Sequence, residues 1–374
     1  MPPERPLRLT LLTTWAEQCG IATYSEALAA ALPEQGVTVS VVSPALRRSD
    51  TPRGEQPVRI WRRDRAGLLA AYQTFREIER QRADVVHIQH TMGIESPSLL
   101  LGVTQLCQRA GIPVVATLHE AGGGSALRRF RFARTLFGLR GAQLVIHEPD
   151  ETVPGAVVIP HGIREEPHRS RADARAQLGL SPSDLVLAHF GFIHPDKGIE
   201  DVLQAAAELR ATRFPDLKYR VCGGTFATGA SRPHLAHLQS RVRELGLAEA
   251  VDLTGEFASE ERVTLEMQAA DLVVLNYHTG NRQGASGAAN RALATGCALA
   301  VSRAPIFDSL RAATHTLDAS LTADLERLLA SPTARAHLTA RAEAFSIERR
   351  WPKIALRHAD LYRRLLAQRA SRSA

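Results

Sequence analysis

Residues 276–302, NYHTGNRQGASGAANRALATGCALAVS, contain the pattern that decides the fold. The segment reads as the end of a strand, a Gly/Ser loop, a helix of small residues and a second strand. Because residues 284–287 carry small side chains only, they leave the N–H groups of the first helical turn uncovered, and such an N-terminus attracts anions. Arg282 in the loop is a natural partner for phosphate. Taken alone, the segment is also explained by an ordinary helix–strand crossover with a loose N-cap.

The same alternation of short apolar runs and longer helical patterns extends through the chain. Strand-like runs begin at Leu7, Val37, Asp84, Ile112 and Ala142 in the first half, and at Asp184, Leu217, Val251, Asp271 and Cys297 in the second. Runs that are buried on both faces and separated by helices predict parallel sheets with helices on both sides. The polar stretch 164–184 reads as a linker with one short helix. We therefore expect an α/β fold of two Rossmann-like, doubly wound domains that face each other across a cleft.

Length and composition limit the functional classes. A chain of 374 residues exceeds one typical core, and a net charge of +7 favours anionic partners. The four cysteines show no CxxC pairing, so neither a disulfide framework nor a zinc knuckle is expected. The chain starts directly with a strand pattern and has no apolar run of about 18 residues. These features predict a cytoplasmic protein.

A second loop suited to anions begins at Gly191, in GFIHPDKGIEDVLQAAAELR. Its Lys197 opens a well-patterned helix, in a chain whose other lysines are Lys218 and Lys353. A solvated lysine in a first helical turn is the simpler explanation of Lys197 alone. Two cationic, amide-rich loops together indicate a ligand with a diphosphate. No DxD pair is present to hold Mg²⁺ between phosphates, so we expect electrostatic stabilisation of the departing diphosphate without a metal.

Histidines follow several predicted strands of the first half, where parallel sheets bind ligands. They are His87, His90, His119, His147 and His161. Neither HExxH nor a helical i,i+4 histidine pair occurs among them, which argues against a catalytic metal. We expect His119 to act as a hydrogen-bonding contact to a sugar.

Read in order, the motifs resemble those of the retaining glycosyltransferases of family 4, also called group 1 glycosyltransferases, which have the GT-B fold. The matching segments are CGIATYSEALAAAL at Cys19, PVVATLHE at Pro113, VIPHGI at Val158, GFIHPDKGIEDVLQAA at Gly191, YRVCGG at Tyr219, VDLTGEF at Val251, QGASGAANRALATGCALAVS at Gln283 and FSIERRWPKIALRHADLYRRLL at Phe345. The resemblance implies an N-terminal acceptor domain (1–165), a donor domain (166–345) and a C-terminal helix (346–374) that crosses back to the first domain.

The resemblance also implies roles for individual residues. Gly20 would let backbone amides approach the phosphate or sugar, Lys197 would bind the diphosphate, and Gly255 to Phe257 would line the base pocket. The implied catalytic residues are His119, Lys197 and Gln283. The implied donor-binding residues are Gly20, Phe192, Gly223, Gly255, Glu256, Phe257, Arg282, Gly284, Ser286, Gly287 and Arg291.

Three positions depart from the family pattern. Phe192 stands where the family usually has an arginine, and Gln283 and Arg291 stand where it usually has two glutamates. The first glutamate normally contacts the transferred sugar and the second the ribose, so the identity of the donor is open. Our hypothesis is that Arg282 replaces the arginine missing at Phe192.

The predicted function is transfer of a sugar, of hexosyltransferase type, from a nucleotide diphosphate-sugar to an acceptor hydroxyl with retention at the anomeric carbon. The acceptor would be a sugar-containing or lipid-linked molecule, and no cofactor is expected. Closure of the cleft would exclude water and align the acceptor. The alternatives are a sugar-nucleotide epimerase or hydrolase of the same fold and a non-catalytic nucleotide-sugar binding protein. A nucleic-acid partner is not expected, because the positive charge is dispersed.

Residues 125–140, SALRRFRFARTLFGLR, form a basic helical pattern with several phenylalanines. One interpretation of Arg128–Arg140 is a peripheral contact with the inner face of a membrane, where lipid-linked acceptors lie. The simpler interpretation, which we prefer at this point, is a crossover helix whose apolar residues pack on the sheet.

Overall fold

The computed structural model describes residues 5–17, 19–46, 56–63, 67–92, 94–119, 125–225, 230–278 and 286–373. These residues form two compact units. The N-terminal unit contains the described residues within 1–162 and 349–374, and the C-terminal unit contains those within 163–281 and 286–348.

The N-terminal unit is built on a parallel sheet. Its strands are β1 (Leu7–Leu12), β2 (Val37–Pro44), β3 (Val58–Trp61), β4 (Val85–His90), β5 (Val114–Leu118), β6 (Gln143–Ile146) and β7 (Val157–Val158). Their order across the sheet is β3-β2-β1-β4-β5-β6-β7. Its helices are α1 (Gly20–Ala31), α2 (Leu68–Arg80), α3 (Pro97–Arg109), α4 (Ala126–Gly138) and, from the end of the chain, α12 (Trp351–Ser373).

Both faces of this sheet are buried, which explains why its strands are almost continuously apolar. On β5, Val114 and Ala116 pack with residues of α2, α3 and α4, whereas Val115 packs with α1 and α12 on the other face. Successive side chains of a strand point to opposite faces, so a strand between two helical layers needs apolar residues at every position.

The C-terminal unit repeats this plan. Its strands are β8 (Leu185–Phe190), β9 (Leu217–Cys222), β10 (Val251–Leu253), β11 (Leu272–Leu275), β12 (Leu299–Val301) and β13 (His315–Thr316), and their order is β10-β9-β8-β11-β12-β13. Its helices are α5 (Arg171–Leu178), α6 (Ile199–Thr212), α7 (Ser231–Glu244), α8 (Glu260–Ala269), α9 (Gly287–Ala294), α10 (Leu321–Ala330) and α11 (Pro332–Glu348). The pairs between neighbouring strands are parallel.

The predicted α/β fold with two doubly wound sheets is confirmed, and every predicted apolar run forms a strand. The short strands β3, β7 and β13 were not predicted. The stretch read as a linker contains α5 and is anchored to the C-terminal unit, since the buried Arg175 pairs with Asp271 at 2.6 Å. Asp271 also accepts the backbone N–H of Val186 at 2.8 Å, which ties α5 to the start of β8.

The C-terminal helix α12 belongs to the N-terminal unit and packs against α1. Its Trp351, Ile354 and Tyr362 enter the same apolar cluster as Leu9 of β1 and Tyr24 of α1. The last helix therefore completes the core of the first unit.

Candidate functional site

In the C-terminal unit, two strand ends approach each other so closely that only glycine fits. A Cβ on Gly223, just after β9, would lie 1.8 Å from the carbonyl oxygen of Gly191, just after β8. Gly191 has a φ of +139°, which is also a conformation that favours glycine. The two glycines thus bring bare backbone to the carboxyl ends of two neighbouring strands, where parallel sheets bind ligands.

Lys197 lies in the same region of this unit, in the 3-10 turn Pro195–Lys197. Its side chain is 8% exposed, and Nζ lies 3.7 Å from the centroid of the Tyr277 ring, a cation–π contact. The turn is fixed to the end of β11, since a Cβ on the following Gly198, with φ +61°, would lie 1.9 Å from the carbonyl oxygen of Asn276. The backbone that carries Lys197 is therefore fixed, and its ammonium group is positioned on the Tyr277 ring.

Helix α9 supplies a third part of the site. Ser286 is its N-cap, and its Oγ accepts the N–H of Ala289 at 3.2 Å, so the hydroxyl stabilises the first turn. Among the described residues, nothing lies within 4 Å of a Cβ placed on Gly287, so they leave space beside the first turn of the helix.

Tyr277 links these three parts. It carries Lys197 on its ring, and its hydroxyl lies 3.5 Å from the position of a Cβ on Gly191. That same position is 3.8 Å from the Cβ of Ala288, in the first turn of α9. Lys197, the bare backbone at Gly191 and the N-terminus of α9 therefore meet within one unit.

His189, on β8, was missed by the sequence analysis and lies directly behind Gly191. It is fully buried, its Nδ1 donates to the carbonyl oxygen of Val274 at 3.2 Å, and its Nε2 has no hydrogen-bond partner in the described part of the chain. Nε2 lies 3.8 Å from the position of a Cβ on Gly191. Burial, with a further contribution from Lys197, lowers the pKa of His189 to about 4, so the ring is neutral at pH 7.

An exposed aromatic pair stands beside the glycines. Phe192 and Phe257 are 41% and 70% exposed, and their ring centroids lie 5.8 Å apart in an edge-to-face arrangement. A Cβ on Gly224 would lie 2.7 Å from the Phe257 ring. Gly255, with φ +76°, starts the turn that carries Phe257 and the exposed Glu256. The residues predicted to line a base pocket thus offer an aromatic surface.

Arg291 is engaged within the protein. Its guanidinium pairs with the carboxylate of Glu260, lies 3.3 Å from the carboxylate of Glu166 and donates to Thr264 Oγ1 at 2.9 Å. These contacts tie α9 to the start of α8 and to the segment before α5. Arg291 therefore has a structural role, and its role in donor binding stays a prediction.

The predicted residues Arg282, Gln283 and Gly284 lie outside the described residues. Their roles therefore stay predictions.

In the N-terminal unit, three of the five predicted histidines cluster around Tyr24 of α1, whereas the buried His90 bonds Glu95 through Nδ1 at 2.8 Å. The Tyr24 ring centroid lies 4.7 Å from that of His119, 5.2 Å from His147 and 5.0 Å from His161. Trp351 of α12 packs on the same tyrosine at 5.0 Å. Within the described residues, no three His, Cys, Asp or Glu side chains are grouped so that they could hold a metal ion.

A chain of hydrogen bonds fixes the His119 ring. His147 Nδ1 lies 3.0 Å from the carbonyl oxygen of Ile159 and must donate to it, because a carbonyl only accepts. Burial lowers the pKa of His147 to about 3, so this ring is neutral and its Nε2 accepts from His119 Nδ1–H at 3.2 Å. His119 Nε2 is then an acceptor, and the Gln89 atom 2.8 Å from it is placed as Oε1. Since two acceptors cannot bond each other, we assign the Gln89 amide with oxygen and nitrogen exchanged, so that its NH₂ group donates to His119.

Both ring nitrogens of His119 are thus used inside the protein, and burial lowers its pKa well below the usual value. A sugar hydroxyl that binds a ring nitrogen must replace Gln89 or His147. The role of His119 as a sugar contact therefore stays a prediction, with that exchange as its structural condition.

A second buried network joins α12 to the sheet. His87 of β4 bonds Tyr362 Oη at 2.7 Å through Nδ1 and Thr117 Oγ1 at 2.8 Å through Nε2, and Tyr24 Oη lies 3.3 Å from His358 Nε2. The sequence analysis missed His358 and Tyr362, because nothing in a helical pattern identifies a distant strand as its partner. His87 therefore has a structural role.

Gly20 is the first residue of α1. Its N-cap, Cys19, forms no side-chain capping bond, Gly20 is exposed, and nothing lies within 4 Å of a Cβ placed on it. The described residues therefore leave space near the backbone of this helix start, and the role of Gly20 stays a prediction.

Comparison with known proteins gives two family matches. Residues 19–152 match the family described as glycosyl transferase 4-like domain, and residues 170–344 match glycosyl transferases group 1.

Among curated relatives, the D-inositol 3-phosphate glycosyltransferase of Mycolicibacterium gilvum is 29% identical over 235 residues, which cover 58% of this chain and 44% of that protein. The enzyme of the same name from Nocardia farcinica is 31% identical over 210 residues, covering 53% of this chain and 42% of its own length. The chain thus spans under half the length of these curated relatives.

Solved structures share the fold along nearly the whole chain. Sucrose-phosphate synthase from Thermosynechococcus elongatus has a TM-score of 0.74 at 19% identity, covering 97% of this chain and 100% of that one. HepE from Anabaena, in complex with UDP, has a TM-score of 0.68 at 15% identity, covering 95% and 99%. Trehalose-6-phosphate synthase OtsA has a TM-score of 0.68 at 12% identity, covering 95% and 99%. None of the described helices has the length and apolar character needed to cross a bilayer.

Proposed function

The chain belongs to the group 1 glycosyltransferases of the family 4 type, with the GT-B fold, and from this premise we propose that it transfers a sugar from a nucleotide diphosphate-sugar to an acceptor hydroxyl with retention. The proposed acceptor is a sugar-containing or lipid-linked molecule.

The observation that carries the proposal is the meeting of Lys197, Gly191 and the first turn of α9 around Tyr277. A diphosphate placed there has a buried ammonium group, bare backbone and the positive end of a helix dipole within one unit. Water is largely excluded around Lys197, so its charge acts at low dielectric and stabilises the negative charge that develops on the leaving diphosphate.

We propose that the aromatic pair Phe192 and Phe257 holds the nucleobase. The pair is exposed, most of all at Phe257, and its aromatic surface for stacking lies beside Gly224 at the end of β9. Two structural neighbours, HepE and a trehalose-6-phosphate enzyme from E. coli, are described in complex with UDP and UDP-2-fluoro glucose. UDP is therefore the first nucleotide to test, and the base itself is not assigned.

The remaining roles form part of the same proposal. His119 and Gln283 contact the transferred sugar, Gly20 lets backbone amides approach it, and Arg282 assists Lys197 at the diphosphate. No side chain acts as a nucleophile, because the leaving phosphate assists attack by the acceptor on the same face of the sugar. The reaction is proposed to need neither a metal nor a cofactor.

The test is a thermal-shift screen against UDP, GDP, ADP and TDP with and without EDTA, followed by the corresponding nucleotide-sugars. Ligand binding raises the melting temperature by mass action, so even a weak nucleotide registers at high concentration. We expect one nucleoside diphosphate to stabilise the protein regardless of EDTA.

Product analysis then separates the alternatives. Transfer of sugar to an added acceptor, with retained configuration, is expected. Release of a free sugar or an epimer from donor alone identifies a hydrolase or epimerase, and binding without turnover in a broad acceptor screen identifies a binding protein.

A further inference from the structure

Helix α4 buries only one side of its surface. Phe132, Thr135 and Gly138 are buried against the N-terminal unit, as expected for a crossover helix. Leu127, Phe130 and Phe137 are instead 65%, 61% and 56% exposed. Packing on the sheet therefore explains the apolar residues on the buried side of α4. It does not explain the three large apolar side chains that are exposed to solvent.

The exposed side of α4 is also strongly basic. Residues 125–140 contain five arginines and neither Asp nor Glu. Arg131, Arg134 and Arg140 are exposed and form no ion pair with any described residue. The guanidinium carbons of Arg134 and Arg140 lie 6.0 Å and 4.6 Å from the ring centroids of Phe130 and Phe137, so cations and aromatic rings share one surface. We call Leu127, Phe130, Arg131, Arg134, Phe137 and Arg140 the α4 face.

Helix α2 of the same unit provides an internal contrast. It also exposes large apolar residues, with Leu69 72% and Tyr72 54% exposed. Its arginines are neutralised within the helix, because Arg76 pairs with Glu79 and Arg80 pairs with Glu77. Uncompensated positive charge therefore distinguishes the α4 face from other exposed apolar surface of this unit.

We propose that the α4 face docks this protein on the surface of a bilayer that contains anionic phospholipids. Exposed Leu and Phe side chains gain free energy by leaving water for the region between headgroups and acyl chains, and arginines around them pair with lipid phosphates. Because the guanidinium groups of Arg134 and Arg140 lie over phenylalanine rings, positive charge and apolar surface are adjacent. The region between lipid headgroups and acyl chains binds such a combination. Nucleic acid would satisfy the arginines but would leave Leu127 without an apolar partner.

The proposal stands on the exposed residues and does not depend on glycosyl transfer. If the proposed function also holds, docking on a bilayer brings the enzyme close to acceptors in that bilayer. This favours a lipid-linked acceptor.

The test is flotation of the full chain, without donor or acceptor, with vesicles of phosphatidylcholine alone or of phosphatidylcholine and phosphatidylglycerol in equal parts. We expect flotation with the anionic vesicles at low salt, loss of binding as salt screens the charges, and no flotation with phosphatidylcholine alone. Absence of flotation with anionic vesicles at low salt overturns the proposal.

Two matched double variants assign the surface. Phe130→Ser with Phe137→Ser on α4 should abolish flotation, whereas Leu69→Ser with Tyr72→Ser on α2 should leave it unchanged. Arg131→Gln and Arg134→Gln should each weaken binding about fivefold. All these side chains are exposed, so the substitutions should leave the melting temperature unchanged. Its measurement is the control for correct folding. Equal loss in the α2 variant, or binding to poly(U) RNA without binding to vesicles, contradicts the proposal.

Discussion

The polar side chains of the two units are arranged in opposite ways. In the N-terminal unit, His119 and His147 bond each other, and these two rings and His87 bond further side chains or a backbone carbonyl; burial keeps all three neutral. In the C-terminal unit, the buried Lys197 lies on the ring of Tyr277, whose hydroxyl approaches Gly191, and His189 keeps one ring nitrogen without a partner in the described chain. The first arrangement satisfies its polar groups within the protein, and the second places a positive charge near glycine backbone, as the proposed diphosphate site requires. The difference follows from desolvation, since buried charge persists only where a partner or ligand compensates it.

Removal of the charge at the C-terminal unit should have the largest effect. We expect Lys197→Ala to lower the rate of transfer about 100- to 1,000-fold, because one preorganised group that stabilises transition-state charge is lost. Steady-state kinetics with the donor identified by thermal shift measure it. The matched control is Lys218→Ala, whose ammonium donates to the carbonyl oxygen of Glu249 and touches none of the site residues. Equal rates in both variants would remove Lys197 from the mechanism.

Acid should destabilise the N-terminal unit. His147 and His358 have pKa values of about 3 in the folded protein, because burial disfavours their charged forms, and about 6.5 when unfolded. Below pH 6.5 the unfolded chain takes up protons that the folded chain does not. The free energy of unfolding should therefore decrease as the pH is lowered, by up to about 1.4 kcal/mol per pH unit for each histidine. Above neutrality the contribution of these histidines should stay constant.

Tryptophan fluorescence isolates this effect, because Trp15, Trp61 and Trp351 all belong to the N-terminal unit. Urea unfolding is followed by tryptophan fluorescence, excited selectively at about 295 nm. Repeating it between about pH 7 and pH 4 measures how the free energy of unfolding depends on pH. The His358→Phe variant should show a shallower dependence. A free energy of unfolding that rises on acidification would be incompatible with neutral buried rings.

The hydrogen-bond chain at His119 can be broken at one link. His147→Phe leaves the Nδ1–H of His119 without an acceptor, so we expect a loss of about 1–3 kcal/mol in the free energy of unfolding. Nitrogen-15 NMR should show His119 protonated at Nδ1 in the wild type and redistributed in the variant. His161→Phe is the control, since His161 donates to the carbonyl oxygen of Gly162 and forms no bond to His119. Protonation at Nε2 in the wild type would refute the deduced tautomer.

The smallest effect is expected at the helix starts of the N-terminal unit. Gly20→Ala has open space and should leave the melting temperature unchanged or slightly raised, while the KM for donor rises about three- to tenfold if the ligand needs bare backbone there. Gly67→Ala at the N-cap of α2, where none of the described residues comes within 4 Å either, should change neither quantity. An unchanged KM in Gly20→Ala would take Gly20 out of the donor site.

Local sequence predicted the two sheets well, because strands buried on both faces read as apolar runs whatever their partners. It missed β3, β7 and β13, which are two to four residues long and exist only as edge additions to a sheet. Pairing of such short segments depends on a neighbour that is distant in sequence.

For the candidate site, the sequence could point to a residue whose loop carries its own signal, as with Lys197 in a lysine-poor chain. A residue was missed where its role depends on three-dimensional neighbours. His189 is a polar residue inside the apolar run LVLAHF, and this anomaly was the available signal. Tyr277 gave no signal, because its position between Lys197 and Gly191 comes from the packing of β8 against β11.

The contribution of α12 to the first unit has a consequence for protein synthesis. A ribosome makes Tyr24 and His87 early, but their partners Trp351, His358 and Tyr362 emerge some three hundred residues later. Until then one face of the nascent N-terminal sheet is covered by α1 but lacks α12, whereas the described residues of the C-terminal unit all precede that helix. Completion of the N-terminal unit is therefore expected to wait for α12, although its first residues are translated before those of the C-terminal unit.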